Sequence, residues 1–203
     1  LLEHSSGLEV DDEKLLLDVL HALNGDARVV RDDQPGFNLS SLQSERSFDP
    51  NASQNRASSP MPGVGAESPS GVVRLNYVAQ RPFHPTRFYE LIHRKWGDVL
   101  KASGAFWVAS REDLAAELNV VGGSRMTTMS GMWWATVPEN RRPKTLQFRA
   151  YMKQIWHPDF GDRHQNLSVL ALGVKEETLR LQLDRCLLTD EELAVPEKWK
   201  TMK

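Results

Sequence analysis

The chain has 203 residues, 40% apolar and 26% charged, with 25 Lys and Arg against 27 Asp and Glu for a formal charge of −2. This is an ordinary globular composition, enough for one good core or one core plus an appendage. The charge balance gives no ground for a nucleic-acid or anionic-membrane partner, and no apolar run approaches the roughly 20 residues of a membrane span.

The start of the chain has neither a basic nor an apolar segment, so it does not read as a signal peptide. The first residue is Leu1 rather than Met, which suggests a sequence that begins inside a longer protein. One cysteine, Cys186, excludes an internal disulfide framework and suits a reducing, cytoplasmic setting.

Leu15, Leu16, Val19, Leu20 and Leu23 fall at helical spacing behind the acidic run Asp11, Asp12 and Glu13. Asn24-Gly25 stops that helix, and residues 27–30 read as a short strand. Residues 36–70 are rich in Ser and Pro and poor in large apolar groups, the composition of a mobile linker.

Order is expected to resume at Gly71. Val73, Leu75 and Tyr77 alternate with polar residues as in a half-buried strand. Pro85 starts a helix with the stripe Phe88, Leu91, Ile92 and Trp96, and His84 stands at its N-cap. A second strand is expected over 105–109. A short helix carrying Leu114 and Leu118 then follows the cap pair Ser110 and Asp113. After Gly122-Gly123 a hairpin is expected, with arms over 125–129 and 132–137 turned at Ser130-Gly131. Phe148, Tyr151, Met152, Ile155 and Trp156 mark the cleanest helix. A last strand over 167–172 and a helix with Leu179, Leu183, Cys186 and Leu187 follow, with Thr189 and Glu192 spaced to cap one more turn.

Irregular mixing of helices with hairpin-joined strands predicts an α+β fold, a largely antiparallel sheet with helices packed on one face.

The chain contains no phosphate-binding G-x-x-x-x-G-K-S/T, no G-x-S-x-G and no H-E-x-x-H. Asp159-Phe160-Gly161 imitates a kinase metal motif without the catalytic loop that would give it meaning. Two imidazoles and two carboxylates between His157 and His164 offer nitrogen and oxygen ligands to a divalent ion through His157, Asp162 and His164, with His84 as an outlying fourth. The plainer reading of that stretch is a polar helix-to-strand connection. Cys186 lies on an apolar stripe and reads as core. Trp133-Trp134 points one indole into the core and one outward. Arg81 and the pair Arg141-Arg142 offer a small anion site, or a solvated face.

Several segments recur in one family's order. Arg81-Pro82-Phe83-His84-Pro85 resembles the start of the CobW C-terminal domain. The run from Val99 to Trp107, then Gly131-Met132-Trp133-Trp134-Ala135, then Trp156 with Gly161-Asp162-Arg163-His164-Gln165, and finally the run from Leu183 to Glu192 resemble its later signatures. Leu23-Asn24-Gly25-Asp26-Ala27-Arg28-Val29 is similar to the end of that family's GTPase domain. Two departures stand out. Leu118-Asn119-Val120-Val121 precedes Gly122-Gly123 where Trp-Ser-Gln-Ala is common, and His164 replaces a second Arg.

The resemblance implies a ferredoxin-like version of the α+β fold, divided into an incomplete GTPase edge over 1–35, the linker over 36–70, the CobW C-terminal domain over 71–194 and a tail over 195–203. It further implies a GTP-driven metallochaperone whose cargo is zinc or another divalent metal, with GTP and magnesium bound in the parent's first domain. No cofactor and no catalysis are assigned to this chain. Its expected partners are its own GTPase domain and a metal-requiring client, met through a surface of Trp133, Trp134, Arg81, Arg163 and Gln165. The rival readings are a direct metal-binding domain built on the His/Asp loop and a stand-alone interaction domain.

Overall fold

The computed structural model describes residues 9–23, 29 and 71–202. The chain divides into two units, Leu1–Val72 and Val73–Lys203. In the first, helix α1 (Val10–Leu23) carries Asp11, Asp12 and Glu13 in its first turn, where they meet the positive end of the helix dipole. The strand expected over 27–30 and the linker lie outside the described residues.

The second unit is built on a five-stranded sheet in the order β1-β5-β2-β3-β4. Its strands are β1 (Val72–Ala79), β2 (Val99–Phe106), β3 (Leu114–Val121), β4 (Ser124–Met132) and β5 (Gln165–Leu172). The pairs β2–β3, β2–β5 and β3–β4 are all antiparallel. Ala102 stands opposite Val120 on one side and Val169 on the other, and Gly104 opposite Leu118 and Leu167. These residues line one face. They join a single core with Phe88, Leu91, Ile92 and Trp96 from helix α2 (Pro85–Glu90) and its π-helical continuation (Leu91–Lys95), and with Leu179 and Leu183 from helix α4 (Glu176–Asp184). The expected α+β sheet with helices on one face is therefore what the chain forms.

Gly104 shows how closely β2 and β5 approach. A Cβ there would lie 2.0 Å from the Asn166 carbonyl oxygen, at a φ of +140° that side chains rarely adopt.

Two elements differ from the sequence reading. Leu114 to Val121 is a strand, not a helix, and the hairpin turns at Gly122-Gly123 rather than at Ser130-Gly131. Leu118 and Val120 alternate with Glu117 and Asn119, a period-two pattern that pairing with β2 and β4 satisfies on both sides. Residues 134–136 form a 3-10 turn instead of a strand arm.

Helix α3 (Leu146–Ile155) begins at Thr145, whose hydroxyl accepts the Phe148 N–H. Its expected stripe is mostly not core. Met152 is buried, whereas Tyr151 is 54% and Trp156 39% exposed. Helix α5 (Asp190–Leu193) has the capping box expected from Thr189 and Glu192.

Candidate functional site

Within the second unit, the family-like segments that follow Gly71 converge at the end of the sheet where β2 leaves and β5 enters. Residues 82–84 run there as a strut. Phe83 N–H donates to the Trp107 carbonyl and the Phe83 carbonyl accepts from Ala109 N–H, at 3.1 and 3.0 Å. On the other side Leu188 N–H donates to the Pro82 carbonyl and His84 N–H to that of Cys186, at 3.0 and 2.7 Å. The Phe83 ring stacks on Phe88 with centroids 4.3 Å apart, which ties the strut to α2. His84 occupies the N-cap position but makes no side-chain cap, and its Nδ1 is buried without a hydrogen-bond partner. Burial, with the Arg87 guanidinium second, pushes its imidazole below the ordinary value.

Trp107, Ala109, Trp133, Leu188 and Trp199 form a second, smaller core at this end. Gln165 holds it to the sheet. Its Oε1 accepts the Trp107 N–H at 3.0 Å, and its Nε2 donates to the carbonyls of Arg81 at 2.8 Å and Trp107 at 3.0 Å. At 0% exposure every one of these bonds replaces water that cannot enter.

Asp162, 4% exposed, holds the neighbouring turn. Its two carboxylate oxygens accept the backbone N–H groups of Trp134 and Ala135 at 2.9 and 2.8 Å. Gly161, at φ +66°, lies where a Cβ would come within 2.5 Å of the Ala135 Cβ. Arg163 places its guanidinium 5.0 Å above the Trp107 ring, donates from Nε to the Phe160 carbonyl at 2.9 Å and pairs with Glu112 at 3.4 Å. His164 donates from Nδ1 to the Asp162 carbonyl at 2.8 Å and makes a T-shaped contact with the Trp133 ring. His157 stacks on Phe160, and its Nδ1 accepts the Asp159 N–H at 3.2 Å.

The structure thus brings Asp162, Arg163, His164 and Gln165 together with Trp133 and Trp134, while His84 sits apart at the start of α2. As an interaction surface the set needs correction. Gln165 and Trp133 are buried, the latter donating from its indole N–H to the Leu114 carbonyl at 2.9 Å. Arg163 is largely covered. Arg81 remains accessible, but it is ion-paired with Asp190 at 2.6 Å. A resident divalent ion does not fit the His157–His164 loop. Both Asp162 oxygens face backbone donors, and among the described residues no three His, Cys, Asp or Glu side chains form a metal-holding group. Nor does the chain contain a phosphate loop to seat GTP.

The sequence reading missed the side-chain-to-backbone logic of these residues and the exposed face of α3. A signal for the latter was present: Arg149 and Lys153 are spaced i,i+4 beside Phe148 and Met152, which gives that face a basic border.

The segment that carries these residues matches a known family. The model of the cobalamin synthesis protein cobW C-terminal domain matches residues 72–187, more than half of the chain. The chain belongs to this family. The cobW match covers the sheet, the strut and the Gly161–Gln165 clasp together. A zinc chaperone of Mycobacterium tuberculosis is 28% identical over 162 residues, covering 76% of this chain and 40% of that protein. The zinc-regulated GTPase metalloprotein activator 1 of Dictyostelium discoideum is 31% identical over 136 residues, covering 64% of this chain and 28% of its own length. The chain therefore spans less than half the length of either relative. Among solved structures, the zinc-bound YjiA GTPase from E. coli aligns over 87% of this chain and 48% of its own, with 12% identity and a TM-score of 0.42. No described helix of the chain is long and apolar enough to cross a membrane.

Proposed function

We propose that this chain is the accessory and recognition part of a GTP-driven metal chaperone, with zinc as cargo, and that it hydrolyses no GTP itself. One observation carries the reading. The polar side chains of the cobW signature are consumed in holding backbone: Asp162 by two N–H groups, and Gln165 by three main-chain partners. So engaged, these side chains serve as clasps on the domain's own backbone. The names of the two relatives support zinc and a GTPase as the setting. In this reading GTP and magnesium belong to a nucleotide-binding domain elsewhere in the parent protein, and the metal passes to a client that the present domain helps to recognise.

The test is phosphate release from GTP-Mg by the purified chain. Release at the rate of buffer alone is expected. Turnover that scales with chain concentration and co-elutes with the chain would overturn the proposal. An in-frame phosphate loop and Asn-Lys-x-Asp upstream of Leu1 in the DNA are the further outcome this reading expects.

A further inference from the structure

Beside the clasp, α3 and the preceding loop enclose an open groove of about 510 Å³. Its apolar lining includes Phe148, Met152 and Trp156, and its charged lining is Arg142, Lys144, Arg149 and Lys153 against a single carboxylate, Glu139. Among the described residues none of these four cations is in an ion pair. Arg142 is held in place. Its Nε donates to the Val137 carbonyl at 2.9 Å, and its guanidinium lies 5.0 Å over the Trp156 ring. Phe148 is steadied by a T-shaped contact with Trp134, 4.9 Å away between centroids.

Four cations around one concave site, in a chain of net charge −2, repel one another and focus a positive field into the groove. An anionic occupant offsets that repulsion, and an apolar floor asks that the same occupant carry an apolar side chain.

We propose that this groove binds an acidic peptide segment of a partner protein, its carboxylates on Arg142, Arg149 and Lys153 and an aromatic or aliphatic side chain on Phe148 and Met152. The proposal takes from the accessory-domain reading only the source of the partner, a client. Nucleic acid is disfavoured because Arg142 already covers one face of Trp156, which takes that indole face from a stacking base. A membrane is disfavoured because the apolar residues line a concave floor rather than project from a convex ridge.

The experiment is fluorescence polarisation with a labelled eight-residue peptide of Asp and Glu around one central Phe. The comparison probe is the same peptide with Lys in place of every acid. The acidic peptide should bind with a Kd of tens of micromolar and weaken several-fold as salt is raised, and the basic one should not bind. The double variant Arg149→Glu/Lys153→Glu should lose at least tenfold in affinity, while Lys101→Glu on β2 should retain it. Should the charge reversals disturb the fold, Arg149→Gln/Lys153→Gln gives the same test with a smaller expected loss. Equal binding of both peptides, or unchanged affinity in a folded variant, overturns the proposal. So does tighter groove-dependent binding of phosphatidylserine vesicles or of a single-stranded oligonucleotide. Failure here with GTP release still at background leaves the accessory-domain reading standing, whereas GTP turnover with intact peptide binding has the opposite consequence.

Discussion

The side chain of Gln165 grips the backbone of Trp107 from both sides, accepting from its N–H and donating to its carbonyl, each at 3.0 Å. It acts as an extra peptide unit where β2 has left the sheet. Truncation to Ala would strand the Trp107 N–H and withdraw a donor from two carbonyls, at a cost of about 2–4 kcal/mol. Gln165→Glu keeps the shape but removes both donated bonds and buries a charge, so it should be at least as harmful as Ala. Urea unfolding would measure both. A Glu variant as stable as the parent chain would contradict this account.

Asp162 makes a related prediction with a second readout. Asp162→Asn retains one acceptor oxygen for the Trp134 and Ala135 N–H groups and should lose about 1–2 kcal/mol, with Asp162→Ala losing more. Because the residue works by holding a turn, neither change should alter zinc affinity in a calorimetric titration of the chain. A micromolar zinc site that vanishes in Asp162→Asn and in His157→Ala/His164→Ala would return these residues to a metal-ligating role.

Acid should weaken the fold in two separate windows. His84 is held below its ordinary value, so in the unfolded chain it takes up a proton more readily than in the native one. Stability should therefore decline as pH falls through the ordinary imidazole range, and the decline should be absent in His84→Asn. Glu192 is held down to about 2, first by the hydrogen bonds from Arg87 at 2.8 and 2.6 Å. Its contribution is complete above its ordinary value and is lost as pH falls from there toward 2. Glu192→Gln should remove that lower step and cost about 1–2 kcal/mol at neutral pH. Urea midpoints measured across the acid range would resolve the two.

Much was legible from sequence. The acidic start of α1, Pro85 opening α2, the Thr189–Glu192 capping box and the α+β class all rest on local spacing, because a cap or a helical stripe is satisfied within a few residues. The order of the family-like segments was legible too, because it is a property of the chain read end to end.

Tertiary structure alone decided three things. Leu114 and Leu118 fit a helix, and Leu118 and Val120 fit a strand; pairing with β2 and β4 chose the strand. The stripe on α3 carries the period of a core helix, but whether a neighbour covers it is not encoded in that period, and here Tyr151 is 54% exposed. Gln165 reads as a polar surface residue until Trp107, 58 positions away, is folded against it. Helical and strand periods are written within a few neighbouring residues, whereas burial and the choice of hydrogen-bond partner are settled only when distant segments compete for the same backbone groups.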